Sequence, residues 1–283
     1  MSNLSPEQLK TTANEIRQDL ISMLLEAGSG HSAGPLDLAD IFTALYFDIL
    51  KHDPKNPQWE ERDRLCLSCG HVVPVRYVAM AHAGYFPKKQ LKTLRKLGSP
   101  LQGHPSLHDM PALEHSSGPL GQGTSVAVGM AIAAKKKEQS HYVFCVTSDG
   151  EHQEGQLWEA AMLAGREKLN NLIFIVDRNN IQIDGFTEDV LPLEPLKDKY
   201  EAFGWHVIDV DGNNIQAVID AAELAKTIYE KPTVIIAHTV AGKGVDFMEQ
   251  RPEWHGKPPN SKEAKEALQE LRTLQGKIKG EHQ

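Results

Sequence analysis

Two residues with oxygen-bearing side chains, Asp149 and Asn179, have the chemistry and spacing of a magnesium site beside a phosphate. Asp149 follows an apolar run, and the chain then turns at Gly150 and enters a helical pattern near Glu154. Asn179 follows the next apolar run, 30 residues after Asp149. Because parallel strands end at one sheet edge, we expect the Asp149 carboxylate and the Asn179 amide oxygen to converge. One carboxylate and neutral oxygens suit Mg²⁺, and a helix start behind a glycine turn favours an anion.

Taken singly, Asp-Gly and Asn-Asn are also ordinary turn formers. The alternative interpretation, that Asp149 and Asn179 only shape turns, therefore holds for either residue alone. Their separation by one complete strand–helix–strand unit favours the ligand site.

Four of the 13 histidines lie in glycine- or proline-containing segments that read as loops. These are His31, His71, His104 and His255. They are far apart in sequence and lack the spacing of a zinc site. We expect them to donate hydrogen bonds and transfer protons to a polyhydroxylated, negatively charged substrate.

The elements that would position these residues alternate between strand and helix, which predicts an α/β fold with a parallel sheet sandwiched by helices. The predicted strands are Tyr142–Thr147, Leu172–Asp177, His206–Val210 and Thr233–Val240. The predicted helices are Pro6–Ala27, Leu36–Leu50, Glu154–Leu169 and Ile215–Tyr229, and a helix that follows a Gly/Pro turn within Gly118–Lys137.

The pattern indicates one domain over residues 1–283, with a charged C-terminal tail of about 261–283 that contains a short helix. On the predicted helix after Glu154, the small residues Ala160, Ala161, Ala164 and Gly165 share one face. We expect that face to be exposed and to contact another helix across an interface. The CxxC of Cys66 and Cys69 has no second cysteine pair, so a structural role is the simpler interpretation.

The composition excludes several classes of partner. Lys+Arg 30 against Asp+Glu 38 gives a net charge of −8, so there is no basic surplus for nucleic acid or an anionic membrane. No apolar run approaches a membrane span, and the N-terminus does not have the pattern of a signal peptide. With three cysteines, the composition favours a cytoplasmic protein.

The chain resembles the transketolases. The segment DGEHQEGQLWEAAMLAGREKLNNLIFIVDRNNIQIDG is similar to their thiamine-diphosphate motif, which ends at a metal-binding asparagine. Further segments resemble transketolase signatures in the expected order: GSGHSAGPLDLADIFTALYFDIL, RDRLCLSCGH, GHPS, SSGPLGQGTSVAVGMAIA and KGVDFMEQRPEWHGKP. The resemblance covers nearly the whole chain but only the diphosphate-binding half of a full-length transketolase. It therefore implies the thiamine-diphosphate-binding fold and the N-terminal subunit of a split, two-gene transketolase.

The resemblance implies thiamine diphosphate and Mg²⁺ as cofactors, with Ca²⁺ or Mn²⁺ as substitutes in vitro. Its implied metal ligands are Asp149, Asn179 and the backbone oxygen of Ile181. The implied cofactor contacts are Gly150 through its N–H, His71, His255, Gly118, Pro119 and Leu120. The implied catalytic residues are His31, His104 and His255, of which His31 and His104 line the sugar channel.

The same resemblance implies a C-terminal partner subunit, the pyrimidine-binding half, because the glutamate that activates thiamine lies there in the family. Glu154 and Glu159 match an acidic cluster at the interface between paired sites. We therefore expect a dimeric core in an α₂β₂ assembly that is active only with its partner, and sugar phosphates as substrates.

The chain departs from the family pattern at Ser148, where glycine is usual, and at Ala241, where relatives often have a lysine near the diphosphate. Either that charge contact is missing or Lys243 supplies it. Two alternatives to the transketolase interpretation stay open: an E1-like subunit of a 2-oxo acid dehydrogenase, and a silent regulatory subunit. The loop histidines and the EGQLWEA segment favour transketolase.

Overall fold

A five-stranded parallel β-sheet lies at the centre of the computed structural model, which describes residues 4–280. The strands of this sheet are β1 (Arg64–Leu67), β2 (Val143–Ser148), β3 (Leu172–Arg178), β6 (His206–Asp211) and β7 (Thr233–His238). Their order across the sheet is β1-β2-β3-β7-β6. A separate small hairpin consists of β4 (Ile181–Gln182) and β5 (Gly185–Phe186).

Every residue of β2 and β3 is buried, because helices cover both faces of the sheet. Phe144 and Val146 point into one core, whereas Val143 and Cys145 point into the other. This alternation explains why both strands read as continuous apolar runs. The predicted α/β fold with a sandwiched parallel sheet is therefore confirmed.

The helices divide into two layers. The helices are α1 (Pro6–Ala27), α2 (Ala33–Asp37), α3 (Ala39–Ala44), α4 (Val73–His82), α5 (Gln122–Lys136), α6 (Gly155–Glu167), α7 (Thr187–Val190), α8 (Leu196–Ala202), α9 (Ile215–Lys226) and α10 (Ser261–Gly280). Helices α1–α4, α9 and α10 contribute to the core on one face, and α5, α6 and α8 to the core on the other. Within residues 4–280 no helix is long and apolar enough to span a bilayer.

Strand β1 is absent from the predicted elements, and it adds a fifth strand. Its four residues are too short a run to separate from the surrounding charged sequence. In the structure Cys66 pairs in register with Cys145 of β2. Cys66, Cys69 and Cys145 are all buried free thiols, which agrees with a structural role.

The single helix predicted over Leu36–Leu50 is wrong, because three shorter elements replace it. Helix α2 ends at Asp37, α3 runs over Ala39–Ala44, and one π-helical turn covers Leu45–Ile49. Residues 32–46 are buried throughout, so packing against neighbouring elements decides the backbone here rather than helical propensity.

The C-terminal helix is longer than predicted, since α10 has 20 residues. Ala264, Ala267 and Leu271 recur at helical spacing and are buried against the core. Asn14 on α1 donates from Nδ2 to the Leu271 carbonyl at 2.8 Å. The narrow apolar face of α10 thus packs this otherwise charged helix against α1.

The small-residue face of α6 packs inside the chain, so the predicted interface through it is wrong. Ala160, Ala161 and Ala164 are buried, and the Trp205 indole donates to the Ala161 carbonyl at 2.8 Å. A Cβ atom at Gly165 would lie 1.8 Å from the Phe203 carbonyl oxygen. The side chains of Met162 and Leu163 are exposed instead.

Gly165→Ala should lower the free energy of unfolding by about 1–3 kcal/mol, because the added methyl group overlaps the Phe203 backbone. Gly276→Ala in α10 is the matched control. Apart from its chain neighbours and the nearby backbone of its own helix, no heavy atom of the described residues lies within 4 Å of the added Cβ, so helical propensity should raise stability by up to about 1 kcal/mol. Urea denaturation measures both values. Equal stabilities of the two variants would contradict the packing described for α6.

Candidate functional site

The carboxyl ends of β1, β2 and β3 lie side by side, and His71, Asp149 and Asn179 follow them. Ser148 pairs with Asp177 in the sheet register, and the Asp149 N–H donates to the Asp177 carbonyl at 3.0 Å. The chain after β2 therefore starts beside the chain after β3. The two segments thus converge, whereas the convergence of the Asp149 carboxylate and the Asn179 amide oxygen on one ligand stays a prediction.

Asp149 lies at this edge with its side chain fully buried. Its carboxylate accepts three hydrogen bonds, from Gly150 N–H at 2.6 Å, Asn180 N–H at 2.6 Å and Arg178 Nη1 at 3.0 Å. Burial raises the pKa of this carboxyl, and the Arg178 guanidinium opposes the rise. A carboxylate offers about four acceptor positions, so one position remains for a further ligand.

Asn179 has its amide orientation fixed by two buried acids. Its Nδ2 donates to Asp37 Oδ2 at 3.1 Å and to Asp177 Oδ2 at 2.8 Å. Its Oδ1 accepts the Ile181 N–H at 3.1 Å. Both amide hydrogens are thus used, and Oδ1 is the atom with remaining capacity for a ligand.

These donors fit a magnesium ion chemically. The set consists of one carboxylate oxygen of Asp149, Oδ1 of Asn179 and the backbone oxygen of Ile181, which are hard oxygen ligands. Residues 4–280 contain no group of three or more His, Cys, Asp and Glu side chains able to hold a metal. The oxygen set of Asp149, Asn179 and Ile181 contains one carboxylate and is not a group of that kind.

Asp37 and Asp177 form a buried acidic pair that was not predicted from the sequence. Burial raises the pKa of both, to about 8 for Asp177, and the charge of Asp177 adds to the rise at Asp37. Asp177 Oδ1 accepts from Thr239 Oγ1, whereas Asp37 Oδ1 has no hydrogen-bond partner within the described residues. An aspartate inside the apolar segment GPLDLADIF was the available signal for Asp37.

Arg178, also unassigned from sequence, connects the Asp149 carboxylate to the segment after the hairpin. Its Nη2 donates to Glu188 at 2.7 Å and to Glu194 at 3.0 Å. Its side chain is 4% exposed. The guanidinium therefore fixes α7 and the following loop against the Asp149 turn.

Glu151 connects three loops at the sheet edge, and it too was missed. Its carboxylate accepts from Ser68 Oγ at 2.5 Å, from Gly121 N–H at 2.7 Å and from Ser148 N–H at 3.3 Å. Burial raises its pKa to about 7. The unusual Ser148 fits this network, because its Oγ accepts the Glu151 N–H at 3.4 Å.

Three of the four loop histidines meet at this edge. The ring centroids of His31 and His71 are 4.8 Å apart, those of His71 and His255 are 5.2 Å apart, and those of His31 and His255 are 5.7 Å apart. Burial lowers the pKa of all three, to about 4 for His31. The Nδ1 atoms of His31 and His255 are buried without a hydrogen-bond partner in residues 4–280. The cluster is thus neutral near pH 7 with unused ring nitrogens.

His104 lies beside Gly118, since a Cβ on Gly118 would be 3.8 Å from the His104 ring. Burial lowers the pKa of His104 as well. Gly118 and Leu120 are half-buried and Pro119 is exposed, so this turn presents open surface before α5 begins. Gly121, at φ 81°, directs the chain into that helix.

Two further sets of predicted residues lie outside the histidine cluster. Glu154 is the N-terminal cap position of α6, Glu159 lies one turn further on, and both are exposed. Lys243 lines a groove together with Glu266 and Glu270 of α10. Asp149 and the four loop histidines do not line that groove. Whether Lys243 supplies the charge contact at the diphosphate stays a prediction.

Comparison with known proteins finds relatives over nearly the whole chain. Residues 8–275 match the family model described as transketolase, thiamine diphosphate binding domain. A 6-deoxy-6-sulfo-D-fructose transketolase subunit from Clostridium sp. (strain MSTE9) is 43% identical over 263 residues, covering 93% of this chain and 96% of the relative. An apulose-4-phosphate transketolase subunit from Actinobacillus succinogenes is 44% identical over 273 residues, covering 95% and 98%.

Among solved structures, the transketolase of Campylobacter jejuni superimposes with a TM-score of 0.83 at 35% identity. The superposition covers 96% of this chain and 48% of the Campylobacter chain. The chain thus spans about half of that transketolase but nearly all of the two separate subunits.

We expect His31 to titrate near pH 4 and to stay neutral down to about pH 5.5, because burial disfavours its charged form. The ¹⁵N chemical shifts of selectively labelled histidines measure this directly. A His31 midpoint at about 6.5, the ordinary value for a histidine, would contradict the buried, neutral cluster.

Proposed function

The chain belongs to the transketolase family, as its thiamine diphosphate binding domain, and we propose that it works with a C-terminal partner subunit to transfer a two-carbon ketol unit from a ketose phosphate to an aldose phosphate. The observation that carries this proposal is its match to nearly the full length of two separate transketolase subunits. These relatives are transketolases, so they favour neither a 2-oxo acid dehydrogenase subunit nor a silent regulatory subunit.

In the proposed enzyme, Asp149, Asn179 and the Ile181 backbone oxygen bind Mg²⁺. Two observations support this assignment. The Asp149 carboxylate has an acceptor position left, and Asp37 and Asp177 direct the Asn179 amide so that its oxygen stays available. Ca²⁺ or Mn²⁺ should substitute in vitro, because both accept oxygen ligands.

Thiamine diphosphate, when bound, supplies the electron sink that the cleavage of a ketose C–C bond needs. The proposal assigns its diphosphate to Mg²⁺, His71, His255 and the Gly150 N–H, and the thiamine to the Gly118–Leu120 turn. In the structure the Gly150 N–H donates to Asp149, so binding would redirect or share that hydrogen bond. Glu151 accepts hydrogen bonds from Gly121, which follows the Gly118–Leu120 turn, and from Ser148, which precedes Asp149 and Gly150. This shared partner supports a common pocket for the thiamine and the diphosphate.

The proposed catalytic histidines act as neutral imidazoles. His31, His104 and His255 have pKa values lowered by burial, so near pH 7 each ring can accept a proton at one nitrogen. Rings without a positive charge also add no repulsion between neighbours 5.7 Å apart. We assign to His31 and His104 the orientation of sugar hydroxyls and to His255 contact with both cofactor and substrate.

The partner subunit is proposed to supply the carboxylate that activates the aminopyrimidine ring. Glu154 and Glu159 are exposed on α6, and we assign them instead to the acidic cluster between paired sites. The exposed Met162 and Leu163 beside them support a dimeric core through the outer face of α6. The resulting assembly is α₂β₂, with each cofactor between unlike chains.

The substrates are proposed to be anionic sugars. One relative is named for 6-deoxy-6-sulfo-D-fructose and the other for apulose-4-phosphate, and both compounds carry a strong acid group. A sugar of the pentose phosphate series has the same character. The loop histidines support such a substrate. We also propose a cytoplasmic location, which the low cysteine content favours.

Reconstitution tests the proposal. The purified chain, its partner subunit and their mixture are each incubated with a ketose phosphate, an aldose phosphate, Mg²⁺ and thiamine diphosphate. We expect sustained ketol transfer only in the mixture. Sustained transfer by this chain alone would contradict the divided site, and its absence from the mixture with every ketose tried would contradict the transketolase reaction.

A further inference from the structure

Ser32 occupies the N-terminal cap position of α2, directly after His31, but its side chain does not cap the helix. A serine at such a position ordinarily accepts a hydrogen bond from the first turn of its own helix. Here the Ser32 Oγ donates to the backbone carbonyl of Lys257 at 2.6 Å. The two residues are 225 positions apart in sequence, and Ser32 is fully buried. The hydroxyl therefore connects two distant segments of the chain.

The two connected segments carry two of the proposed catalytic histidines. His31 directly precedes Ser32, and His255 lies two residues before Lys257. A Cβ atom on Gly256 would lie 3.8 Å from His31 Nε2, so the two segments lie against each other. The ring centroids of His31 and His255 are 5.7 Å apart, at an interplanar angle of 87°. The hydrogen bond of Ser32 thus joins the two backbones one residue from His31 and two residues from His255.

The two rings lack the hydrogen bonds that usually orient a catalytic histidine. In such a histidine, one ring nitrogen bonds to a carboxylate or a backbone carbonyl, and this bond sets the state of the other nitrogen. The Nδ1 atoms of His31 and His255 are both buried, and neither has a hydrogen-bond partner within the described residues. The placement of the two rings therefore depends on how their backbone segments are held.

Lys257 is a fixed acceptor, because its side chain is held as well as its carbonyl. Its Nζ lies 2.8 Å from Glu263 Oε1 on α10 and 3.9 Å from the centroid of the Trp254 ring. A cation over an indole face is attracted to it, and Trp254 is itself buried. The segment 254–257 is therefore anchored at both ends, and Ser32 attaches the His31 segment to this anchored loop.

A second hydrogen bond holds the His31 segment but does not reach His255. The Gly242 N–H, in the turn after β7, donates to the Ala33 carbonyl at 3.0 Å. Among the hydrogen bonds described for residues 4–280, the bond from Ser32 is the one that joins segment 31–33 to segment 255–257. The separation of the two histidine backbones thus depends on the Ser32 hydroxyl and on side-chain packing.

We infer that Ser32 is a positioning residue for the transfer reaction, which holds His31 and His255 at the separation that the substrate requires. The inference rests on the proposed function, in which His31 orients sugar hydroxyls and His255 contacts cofactor and substrate. Ser32 is buried and its hydroxyl proton is used by Lys257, so it acts through the histidines. Because the chemical step depends on precise placement of the reacting groups, release of one segment should affect kcat more than binding.

The test compares Ser32→Ala with wild type in the reconstituted two-subunit enzyme. Loss of the hydroxyl should lower kcat about 10- to 100-fold, the size of effect that a misplacement of about 1 Å produces. KM for the ketose and the affinity for thiamine diphosphate should change much less, because Asp149 and Asn179 have their own hydrogen bonds. Ser32→Thr retains the hydroxyl and should therefore retain most of kcat.

Thr43→Val is the matched control for the loss of a buried hydroxyl. Thr43 is also fully buried, and its Oγ1 donates to the Ala39 carbonyl at 2.7 Å, but this bond lies within α3. Urea denaturation should show a similar loss of stability in Thr43→Val and Ser32→Ala, whereas only Ser32→Ala should lower kcat. A wild-type kcat in Ser32→Ala, an equal fall in Thr43→Val, or an equal fall in Ser32→Thr would overturn the inference.

A measurement without turnover separates this inference from the proposed reaction. In the full chain with labelled histidines, nuclear Overhauser contacts between the ring protons of His31 and His255 report the separation of the two rings. Wild type and Ser32→Thr should show the same contacts, and Ser32→Ala should weaken them. This result stands even if no ketose is turned over, which would count against the proposed function only. Equal contacts in wild type and Ser32→Ala would overturn the role of Ser32.

Discussion

Burial of three carboxyl groups at one sheet edge is the constraint on which the rest of the site depends. Asp37 and Asp177 accept hydrogen bonds from the Asn179 amide, Asp149 accepts one from the next backbone N–H, and burial raises the pKa of each. Buried charge is costly unless it is paired or neutralised. Arg178 pairs with Asp149, a raised pKa allows the other two acids to share a proton, and a divalent cation fits the remaining oxygen donors.

Hydrogen bonds of two neighbouring charged residues, Glu151 and Arg178, hold the surrounding loops in place. Glu151 joins the ends of β1 and β2 to the turn before α5, and Arg178 joins the Asp149 turn to the segment after the hairpin.

The sequence predicted four of the five strands described for the sheet and the edge at which the segments after β2 and β3 meet, because apolar runs and strand–helix–strand spacing are local signals. It placed Asp149 near Asn179 and identified the loop histidines, three of which meet in space. It missed Asp37, Glu151 and Arg178, whose roles depend on partners distant in sequence. It also assigned the small face of α6 to an interface, since sequence alone cannot tell whether Trp205 or another chain covers those alanines.

Isothermal titration calorimetry of thiamine diphosphate binding to the two-subunit complex tests the central claim most directly. The account predicts that binding requires a divalent cation and that Asp149→Asn weakens it more than about 100-fold. Asp220→Asn, an exposed change on α9, is the control and should bind as wild type. Cation-independent binding, or wild-type affinity in Asp149→Asn, would contradict a metal and diphosphate site at the carboxyl edge of the sheet.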